Sequence, residues 1–552
     1  MLSNERESLY SLLLDLVRLP SLSASKGEEA LVRLIGDRLA ALPYFQDHPE
    51  DLRLLAVEGD PLGRPDLWAL VRADPPTART VLLMGHVDVV DVDDYGPLKD
   101  LAFDAEALTE ALAGQDLPPS ARADLASGDY LFGRGTMDMK CGLALEMGLI
   151  AEAAADRGRF GVNVAFLAVS DEENSSAGMR GALPYLARFR DEGLDFIAVI
   201  DTEPSDLGGG DEPVRNLFTG TVGKVMPFFL CVGRAAHVGA SFDGLNANAV
   251  ASCLNLELEG NVRYADGAGG EWFAPPVCLH QRDLLRAYSV TLAERALAYY
   301  NVLTVTRTPA QVLELMVEAA RLALEAALDD HRRKAQAFAQ ASGLPWTDRG
   351  WKASVLTVAD LSRSLEESGI DVASFRTEVL SGLDGGLDER QRSVALAEAL
   401  LDRSGLKGPL VVVGFLPCYY PHRANEGKTA KERHVLEACR DLQERAREDF
   451  GETVGHVPFF SGICDLSYFG FDGDPADLDV LAANTPGWGS LYHVPLEALS
   501  SLDLPVINFG PSGKDAHKVT ERLELTYSLE KAPRLLEWLL SRLGRRYGAE
   551  GA

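Results

Sequence analysis

The sequence predicts an α/β architecture: a mainly parallel sheet covered by helices and built from both ends of the chain, with an α+β domain inserted between them. Three observations lead there. At 552 residues the chain holds two to four folding units, taking ~150 residues per domain. Over the first 220 residues, short apolar runs alternate with helical stretches, the pattern of parallel strands joined by helical crossovers. From about residue 221 the texture changes, and a helical stretch at 428–448 leads back to the earlier alternation.

Taken in order, apolar residues at helical spacing predict helices near 4–18 and 27–42, and DLWALVRA and VLLMGHV follow as strands. A helix from about 139 to 154 precedes the strand VNVAFLAVS, and a helical stretch near 178–190 precedes the strand FIAVI. In the middle region VGKVMPFFLCVG reads as a half-buried strand, GLNANAVASCLNLELE as a helix, 309–341 as a long Ala/Leu-rich helix and GPLVVVGFLP as a strand. PVINF and a closing helix at 528–546 complete the chain. The simplest partition joins 1–220 and 426–552 in one domain, with 221–425 inserted.

Composition narrows the function. Hydrophobic residues at 46% and charged residues at 25% are ordinary for a globular protein. A surplus of 83 Asp and Glu over 53 Lys and Arg, net −30, repels nucleic acid and anionic membrane surfaces. Seven cysteines without CxxC spacing argue against a disulfide framework or a zinc–thiolate knuckle. The N-terminal stretch is broken by Glu and Arg, unlike a signal peptide, and no apolar run reaches the ~20 residues of a membrane span. The expectation is a cytoplasmic protein with a small-molecule partner, no nucleic acid and no membrane.

Potential chemistry gathers at strand ends. VLLMG runs into His86-Val87-Asp88, an imidazole with a carboxylate two residues on, the arrangement of a metal ligand and its orienting partner. Asp138 precedes a helix in a glycine-rich stretch; Asp171, Glu172 and Glu173 follow one buried strand; Asp201 and Glu203 follow another; His517 lies beyond PVINF. Each has an ordinary reading as a surface pair, a helix start or a solvated loop. Strand ends delivering His, Asp, Glu and His in turn describe a single site assembled from several loops.

In order, GHVDVV, GRGTMDMKCGLA, SDEENSSAGMRGA, TEPS and NFGPSGKDAHKVTE resemble the co-catalytic dizinc hydrolases that include glutamate carboxypeptidase, acetylornithine deacetylase, succinyl-diaminopimelate desuccinylase and aminoacylase. Length, wording and the enlarged middle region are most similar to the arginine-utilisation branch of that family. The resemblance implies a zinc-hydrolase domain with an inserted lid and dimerisation domain. It implies two Zn²⁺ ions, with Co²⁺ or Mn²⁺ as substitutes. Asp138 would bridge the ions, His86 and Glu203 would complete one site, and Glu173 and His517 the other. Asp88 would orient His86, and Glu172 would be the general base. Asp201 competes with Glu203; the Glu203-Pro204 pair favours Glu203.

Within the insert, GRAAHVGASFDGLNANAV resembles the lid motif of the same family. By that resemblance His237 binds the oxyanion, from a partner lid in a homodimer, and Asn246 lies near the substrate. Asp465 in SGICDLSYF resembles a segment near the active site. In PCYYPHRANE, Arg423 is a candidate clamp for a substrate carboxylate. The expected activity is hydrolysis of a C–N amide bond in a small amino-acid derivative. The rivals are hydrolysis of an N-carbamoyl group and non-catalytic binding of metal or amino acid. Two features depart from the family pattern: His86 and Asp138 stand 52 positions apart across a long acidic loop, and the inserted region is unusually large.

Overall fold

Four parallel strands stand side by side at the middle of an eight-stranded sheet in the computed structural model of the chain, which describes residues 2–205, 215–285 and 287–549. In sheet order they are Asn163–Val169, Arg79–His86, Asp195–Asp201 and Val506–Asn508. Their side chains are buried almost throughout, as expected of strands covered on both faces. Pro65–Val71 and then Leu52–Ala56 extend the sheet antiparallel on one side, and Arg215–Phe218 and Val454–Val457 extend it on the other. The sequence reading omits Leu52–Ala56 and Val454–Val457, whose partly exposed side chains leave no continuous apolar run.

Helix Lys140–Ala155 is buried on nearly every face, which explains why its sequence is apolar all round instead of striped. Helix Lys26–Ala40 opens with a capping box in which Ser25 and Glu28 satisfy each other's backbone N–H. The closing helix Ala532–Ala549 packs on Ala430–Phe450 and passes so close to the turn before strand Asn163–Val169 that a Cβ on Gly544 would meet the Phe160 carbonyl oxygen at 1.8 Å. Gly544→Ala must therefore displace the helix. The expected cost is ~1–3 kcal/mol, read as a lower urea midpoint with the metal content of the folded protein unchanged.

The acidic stretch after His86 is not a loop. It forms 3₁₀ turns over Asp93–Leu101 and two helices, Ala105–Leu112 and Pro119–Ser127. Val92, Tyr95, Leu108, Leu112, Ala121 and Phe132 gather there into a small core of their own.

The chain divides into two compact units, one of Met1–Thr221, Arg423–Phe471 and Glu497–Ala552, the other of Val222–His422 and Asp472–Leu496. The second contains a five-stranded sheet in the order Val277–Asp283, Arg295–Thr304, Gly223–Val232, Leu410–Tyr420 and Val355–Thr357. Helices Ala247–Leu258 and Pro309–Ser342 pack on it, with Tyr300 Oη donating to Asn255 Oδ1 at 3.2 Å. Phe228, Leu230, Val232 and Val412 pack instead against Leu361, Leu365, Val394 and Leu400 from helices Val358–Glu367 and Glu389–Ser404. This second helical layer buries Gly223–Val232 almost completely, where the sequence reading expects a half-buried strand.

Segment 472–496 also differs from the sequence partition, which leaves it with the chain ends. Its helix Pro475–Asn484 buries Leu478 and Leu481, and Asn484 Oδ1 accepts from Ala359 N at 3.0 Å, at the start of helix Val358–Glu367. Among the described residues no helix is long and apolar enough to cross a membrane.

Candidate metal centre

Because the central strands are parallel and adjacent, their carboxyl ends lie along one edge of the sheet, where α/β folds place their ligands. His86 is the last residue of its strand and only 2% exposed. Its Nε2 lies 3.3 Å from Asp138 Oδ1 and 3.2 Å from Glu203 Oε1. On the other side of the same aspartate, His517 Nε2 lies 3.1 Å from Asp138 Oδ2 and 2.9 Å from Glu173 Oε1. Asp138 thus offers one oxygen to each histidine. Ligand atoms of His86, Asp138 and Glu203 fall within 4.8 Å of one another, as do those of Asp138, Glu173 and His517, and those of His86, Glu172 and Glu173.

Local packing fixes these positions. Gly142, in the first turn of the helix after Asp138, lies where a Cβ would come within 2.4 Å of the Thr202 carbonyl oxygen, so only glycine lets that helix approach the strand end carrying Glu203. His86 Nδ1 meets the backbone oxygen of Asp88 at 3.0 Å, with the Asp88 carboxylate farther off at 3.5 Å. That carboxylate accepts instead from Glu172 N at 3.0 Å, Glu173 N at 3.1 Å and Ser23 Oγ at 2.7 Å. Asp88 therefore orients the histidine mainly through its main chain and moors the acidic turn with its side chain.

Three further residues hold that turn, and none stands out in the sequence. Arg64, 3% exposed, donates to Glu28 Oε1 at 2.7 Å and to Asp171 Oδ1 at 2.8 Å. Glu28 Oε2 accepts from Asp171 N at 2.8 Å, and Asp66 Oδ1 from Ser170 N at 3.2 Å. Together they sustain left-handed φ angles of 71° at Asp171 and 52° at Ser176, conformations that non-glycine residues keep only where surroundings impose them. Residues so far apart in sequence carry no spacing signal.

Electrostatics decide what the cluster can accept. Burial pushes the Glu172 carboxyl well above its usual range, and it raises Glu203, helped by the Asp138 charge, to about 7. Burial likewise raises Asp465 to about 7. Burial works against Asp138 too, but its hydrogen bonds to His517 and His86 outweigh it and hold that carboxyl well below the normal value. His517, hydrogen-bonded to Asp138 and Glu173, is pushed up to about 11. Carboxylates this close cannot all ionise without compensating cations. Hard oxygen donors with two imidazoles are a donor set that divalent ions such as zinc accept.

The remaining candidates are not among these ligand groups. Asp201 is buried beside them, with its carboxyl raised by burial and by Glu203 and Glu146, and Asp465 is 2% exposed at the start of a 3₁₀ turn. His237 and Asn246 belong to the other unit. His237 is exposed and its Nδ1 accepts from Gly239 N at 3.1 Å, whereas Asn246 caps helix Ala247–Leu258 by accepting from Asn248 N. Arg423 is not a carboxylate clamp. It is 3% exposed and its guanidinium is spent on Glu432 at 3.2 Å, Asp503 at 2.9 Å and the Leu504 carbonyl, because the helix that follows brings Glu432 back against it.

Residues 82–500 match the family model Peptidase family M20/M25/M40. YqjN of Bacillus subtilis (strain 168) is 35% identical over 551 residues, covering 99% of this chain and 98% of its own. RocB of the same organism is 29% identical over 539 residues, covering 97% and 94%. An M20-family metallo-carboxypeptidase from Sulfolobus solfataricus, Sso-CP2, shares the fold at a TM-score of 0.53 and 13% identity, with 97% of this chain and 99% of that one covered. The motifs, the fold and these relatives agree: the chain belongs to the M20/M25/M40 peptidase family and is a metal-dependent hydrolase acting on C–N bonds.

Proposed function

We propose that the chain hydrolyses the amide bond of a small amino-acid derivative, an N-acyl amino acid or a dipeptide, at a pair of divalent ions. The observation that carries this reading is the division of Asp138, one oxygen toward His86 and Glu203 and the other toward His517 and Glu173. His86, Asp138 and Glu203 would hold one ion; Asp138, Glu173 and His517 the other. When bound, a zinc pair supplies Lewis acidity and eases deprotonation of water at neutral pH.

The chain's own groups do the rest. Glu172, 8% exposed beside both ligand groups, takes a proton from the attacking water and returns it to the departing nitrogen. Its burial raises its proton affinity, which suits a group that must carry that proton. His237 accepts a backbone hydrogen bond at Nδ1, which leaves Nε2 as the ring nitrogen that can donate to an oxyanion. A second copy of the chain is the proposed partner, through the inserted unit. In support, strand Val277–Asp283 ends its sheet with Val277 and Leu279 at 42% and 49% exposure, and Leu256 is 84% exposed.

Glutamate at position 203, in place of histidine, supports the deacylase or peptidase reading over carbamoyl hydrolysis. The arginine-utilisation resemblance directs the substrate choice to derivatives of arginine, citrulline or ornithine. None of the seven cysteines, all of them among the described residues, forms a disulfide, which supports a reducing, cytoplasmic setting. Amine release from a panel of N-acyl, N-carbamoyl and dipeptide derivatives, with Zn²⁺, Co²⁺ or Mn²⁺ added, tests the reading. Turnover of the N-carbamoyl compounds alone would move the protein to the ureido class. Elemental analysis of the purified protein is expected to give two divalent ions per chain; no more than one after metal addition removes the paired-ion mechanism.

A further inference from the structure

The helices between His86 and Asp138 reach the turn that carries His517. Asp124, on helix Pro119–Ser127, accepts at Oδ2 from Arg522 Nε at 2.7 Å and from Lys514 Nζ at 3.0 Å. Both cations are almost fully buried, Lys514 at 4% and Arg522 at 1% side-chain exposure. Arg522 Nη1 continues to Asp515 Oδ2 at 2.5 Å and to the Thr520 carbonyl at 2.9 Å, and Thr520 Oγ1 donates to Asp515 Oδ2 at 2.9 Å. Residues 514 and 522 pair as neighbouring strand ends, so these contacts close a loop whose tip is His517. Within it Asp515 and His517 both keep left-handed backbones, φ 61° and 65°. The same stretch between His86 and Asp138 supplies Asp94, which pairs with Arg134 at 3.2 Å while Arg134 holds Glu521 at 2.7 Å.

We propose that Asp124 is a positioning residue for the reaction: by pinning Arg522 and Lys514 together it sets the His517 ring against Glu173 and Asp138. The inference rests on the reading of His517 as a metal ligand. A shared carboxylate is what allows two buried cations to stand side by side; without it their repulsion is less compensated, Arg522 keeping Asp515 as its counter-charge, and the strained turn between them has less reason to persist. Residues that orient a ligand in this way change metal affinity by about 10–100-fold when removed.

The test is calorimetric titration of the metal-free full chain with Zn²⁺, in wild type, Asp124→Asn, His517→Ala and the double variant, each with a thermal melt. Two equivalents are expected in wild type. Asp124→Asn should weaken one of them at least about tenfold and leave the other in place. In the His517→Ala background Asp124→Asn should cause no further loss, which a merely stabilising residue would not reproduce. Equal weakening of both equivalents, unchanged binding in Asp124→Asn, or independent losses in the double variant overturn the proposal. Should Asp124→Asn fail to fold, Arg522→Lys, which keeps the charge but loses the fork to Asp515, is expected to show the same selective loss, and unchanged binding there overturns it. Fewer than two equivalents in wild type overturns the paired-ion reading and this inference with it, whereas two equivalents in wild type with both affinities unchanged in Asp124→Asn overturns this inference alone.

Discussion

Glu172→Gln is expected to keep both metal equivalents and lower kcat by at least about 100-fold, the lower end of what a general base contributes. The amide has the size and shape of the carboxylate but cannot take a proton from water. Its neighbour behaves differently. Glu173 Oε1 lies 2.9 Å from His517 Nε2 and shares a ligand group with Asp138, so Glu173→Gln removes charge from one ion site and should release one equivalent selectively. Steady-state kinetics with metal analysis of both variants separates the roles; equal metal loss in the two would mean that the base and the ligand are assigned wrongly within the pair.

His237→Ala is expected to retain both ions and to lose about 100–1,000-fold in kcat, the effect of removing one oxyanion donor. The family resemblance implies that this histidine serves the site of a second subunit, and mixing subunits tests it. A heterodimer of His237→Ala with Glu172→Gln then contains one doubly damaged site and one intact site, so co-refolding two inactive proteins restores activity. If His237 serves its own chain, each site carries one lesion and nothing is regained. Failed complementation in verified heterodimers, or an active enzyme that is strictly monomeric, rejects the second-subunit arrangement.

The middle of the sheet was readable because Arg79–His86, Asn163–Val169 and Asp195–Asp201 are buried on both faces and must be written as apolar runs ending in polar residues. His86, Glu172, Glu173 and Glu203 were readable for the same reason, since each ends or closely follows such a run, whereas Asp138 and His517 lie in glycine-rich stretches away from those strands. Strand Val277–Asp283, exposed at alternate and adjacent positions, offers no such run. Likewise, nothing in the wording of 358–404 announces that its helices cover the second face of a sheet. Arg423 shows a different limit. Its chemistry suits a carboxylate clamp, yet whether the partner is a substrate or Glu432 depends on where a helix begins. Glu28, Arg64 and Asp66 contribute through geometry alone, and no local pattern distinguishes them from other charged residues.

The strand Val506–Asn508 pairs directly with Asp195–Asp201, and this has a consequence for synthesis on the ribosome. At ~5–20 residues per second, roughly 15 to 60 s separate the emergence of these two neighbours. Throughout that interval Asp195–Asp201, an apolar strand, has one side of its hydrogen-bonding ladder open, the condition that invites pairing with other chains. His86, Asp138 and Glu203 are already present while His517 is not, so a nascent chain can collect the donors for one ion long before those for the second. The inserted unit is made during the wait. Its early folding shortens the effective tether between the two halves of the sheet and lowers the entropy of joining them, so slow folding of that unit would prolong the aggregation-prone stage without touching a single ligand.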